Sequence, residues 1–401
     1  MKNPMHQKII RHYYILSCLF NIGGNGIISA IYVTFLIKNG LNLFEVNLVN
    51  ATFFFTLFIC EIPTGAFADI FGRKTSFIIA CGLLSVSMFI YGASHTFWGF
   101  VCAEILGAIS KTFKSGAFQA WLVDSLKHHG YEGAFSQIFA RENLIVQIGG
   151  GLGAITGSYL AVQNFSLPWF AGGVLMVLVT ITAQLTMKEE YFVRTLFSWK
   201  KGLCSMRDIA VKSVQYGRHH KAVRFILIIT FIQIFAVQAL NMYWQPLFNS
   251  HGLAEINYGF VFNGMMLSLA IGAFIISRMY TKGREKAIIL SSQVVIGITV
   301  IIMAFATNLP IAITLFLLHE IGRGFWNPLK DSYLQERIPS SERATITSFC
   351  SIAPHIGGAI GLLLSGFTAE YFGIPASWIM SGSILIVGSL LMFKNGNPHS
   401  N

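Results

Sequence analysis

The sequence predicts an all-α membrane protein with twelve transmembrane helices in two repeated six-helix halves. Composition, length and an internal repeat carry this expectation. Of the 401 residues, 54% are apolar before the 38 glycines are counted and only 11% are charged, whereas a soluble domain carries about 25%. Such a chain cannot build a polar surface. A bilayer span takes about 20 apolar residues, so twelve spans use roughly 240 positions and leave short connections. A glycine-rich stretch from the first half of the chain returns at a fixed offset in the second half.

Taken in order, the apolar runs place the spans at 13–37, 46–69, 75–93, 98–126, 140–162, 168–187, 225–247, 258–278, 287–306, 309–334, 344–371 and 375–393. Span one follows a basic stretch ending at Arg11 and His12. It is longer than a signal-peptide core and has no small-residue cleavage site, so it is expected to stay. Spans two and three are separated by a tight basic turn, and span four carries in-span charges that span ten repeats. Spans five and eleven are the glycine-rich pair. The longest hydrophilic segment lies between spans six and seven. This gives an N-terminal half at 1–187, a central cytoplasmic linker at 188–224 and a C-terminal half with a short tail at 225–401. The runs lack the two-residue alternation of a membrane barrel, and a helix satisfies its own backbone in lipid.

Twelve spans put both termini on one side. If that side is the cytoplasm, 23 of the 28 lysines and arginines fall in cytoplasmic segments and only Lys38 falls in an external loop. That is the positive-inside pattern. The net charge of +11 is therefore largely topological and calls for no nucleic-acid partner. The basic run Gly217-Arg218-His219-His220-Lys221 reads as a solvated loop beside an anionic leaflet. The cysteines at 18, 60, 81, 102, 204 and 350 have no zinc or redox spacing.

Ile148 to Ala161 reads IGGGLGAITGSYLA and Ile356 to Ala369 reads IGGAIGLLLSGFTA, an offset of 208 that also pairs Gly116 with Gly324 and Gln119 with Asn327. Span five thus corresponds to eleven and span four to ten. Repeated halves are the layout of secondary transporters, with a substrate site near mid-depth.

Between spans two and three the chain reads Gly65-Ala66-Phe67-Ala68-Asp69-Ile70-Phe71-Gly72-Arg73-Lys74. This stretch resembles the signature of the major facilitator superfamily: a glycine, an aspartate four residues on, then Gly-Arg-Lys in the cytoplasmic turn. The resemblance implies the major facilitator fold and a conformational latch made by Gly65, Asp69, Gly72, Arg73 and Lys74. Asp69 would pair with Arg73 and face the start of span eleven after Ser340-Ser341-Glu342-Arg343. The matching turn of the second half has Gly272-Ala273-Phe274 and Gly283-Arg284-Glu285 without the aspartate, so the latch is degenerate there. Gly116-Ala117-Phe118-Gln119-Ala120-Trp121 through Asp124-Ser125-Leu126 resembles bacterial efflux members. Span five lacks the Gly-Pro pair of the family's proton-coupled drug exporters, and Lys111 and Lys114 stand where those carry an arginine.

Charges inside a bilayer are expensive and mark functional sites or structural ion pairs. On span four these are Glu104, Lys111 and Lys114, with Asp124 near the cytoplasmic end; Glu61 on span two is a partner for Lys111. Span ten carries His319, Glu320, Arg323, Lys330 and Asp331. His319-Glu320 opens like a zinc-protease motif, but the second histidine is absent, so no metal site is expected. Glu61, Glu104, His319, Glu320 and His355 are the proton-coupling candidates, with interior hydrogen bonding as the alternative. Asn21 and Asn25 on span one, and Gln233, Gln238, Asn241 and Gln245 on span seven beside Tyr243 and Trp244, form polar stripes. Such stripes suit a cavity lining or interhelical glue. The substrate-cavity candidates are Asn21, Asn25, Lys111, Lys114, Gln238, Asn241, Trp244 and Arg323.

No phosphate-cradling loop and no nucleophile elbow occur, so neither an ATPase nor an enzyme is expected, and no cofactor. The expectation is a monomeric secondary transporter of a bacterial cytoplasmic membrane, working by alternating access and exporting a drug-like or amphipathic compound against a proton gradient. A siderophore or other carboxylate-bearing cargo is the alternative, because Lys111, Lys114 and Arg323 offer fixed positive charge. A non-transporting receptor on the same fold is a further one.

Overall fold

Two single-residue connections show how tightly this chain turns. Gly72, at φ 96°, alone separates the helix Leu43–Phe71 from Arg73–Ala93, and Gly373, at φ 87°, alone separates Ile352–Phe372 from Ile374–Lys394. A residue with a Cβ resists that backbone region. The computed structural model describes residues 4–192, 220–338 and 352–394. Most of the expected linker, the segment Ser340–Arg343, the beginning of span eleven and the C-terminal tail lie outside the described residues.

Each expected span has its helix, and no strand occurs among the described residues. Span one runs from Pro4 to Asn21, continues through a π-helical turn at Ile22–Gly26 and the short helix Ile27–Ser29, and then bends by 51° into Tyr32–Lys38. Spans two and three are the helices flanking Gly72. Span four is Phe97–Ser115 followed by Phe118–His128, span five Phe135–Gln163 and span six Leu167–Thr186. Span seven is Lys221–Ser250, span eight Tyr258–Arg278 and span nine Glu285–Ala304. Span ten is Leu309–Gly324 followed by Trp326–Arg337, and spans eleven and twelve flank Gly373.

Among the described residues, eight helices are long and apolar enough to cross a membrane unaided, or nine if the bent pair of span one counts as one. The remaining three are span eleven, described only from Ile352, and spans four and ten, each of which carries charge and is interrupted, at Gly116-Ala117 and at Phe325. The interruptions recur at the offset of the sequence repeat.

The described residues within Met1–Gly40, Phe55–Leu203 and Ala254–Phe262 form one compact unit; those within Leu41–Phe54, Cys204–Leu253 and Asn263–Asn401 form a second. In the first unit the glycines of span five let its backbone approach span one. A Cβ at Gly153 would lie 2.9 Å from the Gly26 backbone, and one at Gly157 would lie 1.7 Å from the Ile27 carbonyl oxygen. In the second unit a Cβ at Gly361 would lie 2.5 Å from the Phe235 carbonyl oxygen. The offset of 208 carries Gly153 to Gly361 and Ile27 to Phe235. The repeat in the sequence is therefore a repeated helix contact, small residues admitting close backbone approach.

Two short segments pack outside the half in which their sequence lies. In the second unit, buried Asn47 of span two donates to the Tyr243 hydroxyl at 2.7 Å, the Leu362 carbonyl at 2.8 Å and Ser365 Oγ at 3.0 Å. In the first unit, Lys38 pairs with Glu255 at 2.5 Å, and a Cβ at Gly259 would meet Ala154 and Ile155 of span five at 2.6 Å.

Candidate functional site

The signature turn of the first unit is wired differently from the sequence expectation. Arg73 Nε pairs with Asp124 Oδ2 of span four at 2.9 Å. Asp69 is exposed and makes no ion pair among the described residues. The expected Asp69–Arg73 pair fails because Gly72 breaks the helix between them, so the four-residue spacing no longer places both on one helix face. Glu189, just past span six, accepts hydrogen bonds from the backbone nitrogens of Arg73 at 2.7 Å and Lys74 at 3.1 Å, satisfying donors at the start of span three. Lys74 Nζ donates to the Gln184 carbonyl at 2.9 Å. Gly65 lies where span two approaches span four, 3.4 Å from the position of a Cβ on Gly116.

The second unit has a counterpart of reversed polarity. Glu285, fully buried, accepts from the Gly283 nitrogen at 2.9 Å and pairs with Arg337 of span ten at 3.4 Å, while the Arg337 guanidinium lies 4.0 Å from the Tyr333 ring centre. In the first unit the turn brings the base and span four the acid. Here the turn brings the acid and span ten the base. A search for a second aspartate passes over this pair; its only signals are Glu285 directly after Gly283-Arg284 and an arginine ending span ten. A double-mutant cycle with Glu285→Gln and Arg337→Gln should give a coupling of about 1–3 kcal/mol in detergent unfolding, the range for hydrogen bonds to charged groups. Additive effects of the two changes would remove the pair from the stability of this unit.

Span four supports two groups of polar side chains in the first unit. Glu104 is buried, accepts a hydrogen bond from the Tyr91 hydroxyl, and lies in an aromatic cluster in which Trp169 stacks on Tyr91 at 4.1 Å. Lys111 is exposed, as is Glu61, and the carboxylates acting on Lys111 are those of Glu104 and Glu61. Lys114 Nζ sits 4.0 Å from the Phe20 ring centre, a cation–π contact. The sequence reading missed Glu142 at the start of span five, which accepts from Ser17 Oγ at 3.0 Å and from the Tyr13 hydroxyl. Tyr13 and Ser17, one helical turn apart on span one, were the available signal. Asn21 Nδ2 donates to the Val146 carbonyl at 2.5 Å and so ties span one to span five, whereas Asn25 is exposed on the π-helical turn.

In the second unit, His319 and Glu320 are inaccessible to solvent, and Arg323 Nη1 donates to Glu320 Oε1 at 2.6 Å and to Asn241 Oδ1 at 3.3 Å. His319 Nδ1 lies 3.5 Å from the same carboxylate. Neither ring nitrogen of His319 nor Oε2 of Glu320 has a hydrogen-bond partner among the described residues. The structure thus joins three of the expected residues of span ten and span seven around one carboxylate. Trp244, by contrast, is buried beside Phe248 and Phe316, and Gln238 is buried against Gly358, so both lie in the helix packing of this unit. His355 is partly buried, its ring 6.4 Å from that of Phe54.

Helical halves related by a repeated contact, with carboxylates and cations held inside their spans, define a membrane transporter of the secondary class. The sequence model described as Major Facilitator Superfamily matches residues 14–214 and 226–401. The chain belongs to that superfamily. It is 24% identical over 389 residues to the uncharacterized MFS-type transporter YxaM of Bacillus subtilis (strain 168), covering 94% of each chain. It is 21% identical over 401 residues to Multidrug resistance protein 2 of the same organism, covering 97% of this chain and 96% of the relative. Among solved structures, that of the nucleoside transporter NupG superposes with a TM-score of 0.78 at 13% identity, covering 98% of this chain and 99% of the other.

Proposed function

We propose that the protein is a proton-coupled exporter of a drug-like or amphipathic compound. The observation that carries this reading is Glu320: a carboxylate buried at mid-span, bonded to Arg323 through one oxygen and bare at the other, with a buried, unbonded His319 beside it. A carboxylate so placed can take up a proton when Arg323 turns away and lose it when Arg323 returns, which couples protonation to movement of one side chain. The similarity to a multidrug resistance protein supports the kind of cargo. The turn at Gly72-Arg73-Lys74, held by Asp124 and Glu189, is the proposed latch, with Asp69 on its exposed side. The distribution of basic residues supports a cytoplasmic position for both termini.

Lys111 favours a second cargo class. An exposed lysine in the middle of a span would pair with the carboxylate of a siderophore or similar metabolite.

Purified protein in liposomes tests both. Uphill flux should follow an imposed pH gradient, and Glu320→Gln should abolish it while leaving substrate counterflow. Uphill flux that survives collapse of the proton gradient would remove proton coupling. Preference for anionic over cationic probes, lost in Lys111→Gln, would select the carboxylate cargo.

A further inference from the structure

At one membrane face of the first unit, the beginning of span one and the ends of spans four and six enclose a cavity of about 320 Å³ that the transport reading does not use. By span order these three ends share a face, and the basic-residue distribution makes it the cytoplasmic one. Ile9, Trp121 and Leu185 give the cavity an apolar wall, while Lys8 and Lys188 give it a basic rim, with His12 between them held neutral by burial and by the neighbouring Lys8 and Arg11. The one carboxylate lining it among the described residues, Glu190, sits 3.6 Å from Lys188, and both side chains are more than half exposed, so that pair holds Lys188 weakly. Ser125 Oγ also lines the cavity; Ser125 is 3% exposed and its hydroxyl lies beside that of Tyr191. Trp121 Nε1 donates to the Lys188 carbonyl at 2.9 Å and so fixes the wall to the rim. Tyr191, past the end of span six, and His129 also line it; burial pushes the Tyr191 phenol up, so it stays neutral.

A cavity at the end of a helix bundle, apolar on one side and cationic on the other, matches one chemistry at that depth. Acyl carbons meet the wall, a phosphate meets the lysines, and the buried hydroxyl supplies a further donor. We propose that this cavity binds the headgroup region of an anionic phospholipid of the cytoplasmic leaflet, with Lys8 and Lys188 at the phosphate and the acyl chain along Ile9 and Leu185. The assignment rests on the cytoplasmic placement of the termini, which reagent access to Gln7→Cys reports separately. It gives the rim a role distinct from cargo transport, since each lysine near an anionic surface contributes about 1 kcal/mol.

Native mass spectrometry of the full chain, titrated with dioleoylphosphatidylglycerol, dioleoylphosphatidylcholine or inorganic phosphate, tests the proposal. Phosphatidylglycerol should be retained in preference to phosphatidylcholine. Lys8→Gln and Lys188→Gln should each weaken it about five-fold, the equivalent of about 1 kcal/mol. Lys127→Gln, exposed on span four outside the cavity, should not change it. Equal weakening by Lys127→Gln would indicate diffuse surface attraction and overturn the site. Equal retention of phosphatidylcholine, or displacement of the lipid by inorganic phosphate at equal concentration, would overturn the lipid assignment. Insensitivity to both rim substitutions would do the same and leave the cavity to other residues of the chain. If Lys8→Gln lowers the melting temperature, Lys8→Arg must restore lipid binding together with stability for the proposal to stand.

Discussion

Gly157→Ala should be the most damaging glycine-to-alanine change among the described residues. The added carbon would lie 1.7 Å from the carbonyl oxygen of Ile27, and backbone has no rotamer through which to yield. Span five and span one must part along their contact. Overpacking of a close-packed interior usually costs about 1–3 kcal/mol, and an overlap with backbone belongs at or beyond the top of that range. Gly361→Ala, whose Cβ would meet the Phe235 carbonyl oxygen at 2.5 Å, should follow at a smaller cost. Gly82→Ala is the internal control: nothing lies within 4 Å of its added carbon. An alanine in a helix interior gains about 0.5–1 kcal/mol over glycine. Melting temperatures in one detergent decide the order. A Gly157→Ala protein as stable as Gly82→Ala would show that the two spans are not held at this contact.

Arg323→Met should cost about 3–5 kcal/mol, because it leaves the buried Glu320 carboxylate without its cation. Asn241 would lose its partner as well. Glu320→Gln removes the charge and keeps an acceptor for Arg323, so its cost should be smaller. Combining the two, Glu320→Gln with Arg323→Met, should recover much of the stability lost in Arg323→Met alone. Uphill transport should fail in all three. Unfolding free energies measured in parallel with flux separate the two effects. If the double variant is no more stable than Arg323→Met, the buried charge is not the source of the loss. If it transports uphill, Glu320 does not carry the coupling proton.

Much of the architecture was legible in one dimension. Lipid demands about 20 apolar residues per crossing, topology sorts lysine and arginine by side, and close helix contacts demand small residues at helical spacing. The sequence by itself therefore determined the twelve spans, the superfamily signature at Gly65 to Lys74 and the glycine repeat at 148–161 and 356–369. It also marked the group on span ten, since His319, Glu320 and Arg323 are each costly inside a membrane. Only the tertiary structure decided which partner each charge takes. Arg73 reaches Asp124 rather than Asp69, Glu285 and Arg337 make a pair of opposite polarity, and Glu142 gathers Tyr13 and Ser17. It alone decided that Trp244 is buried in helix packing while Lys111 is exposed. The reason is physical. In a soluble helix the apolar stripe tells inside from outside, but lipid tails are as apolar as a helix interior, so periodicity loses its contrast within the span. Polar partners, chosen over separations of 51 residues for the ion pair of Arg73 with Asp124 and 129 for the hydrogen bond of Tyr13 to Glu142, depend on which spans pack together. Local sequence spacing holds no record of that choice.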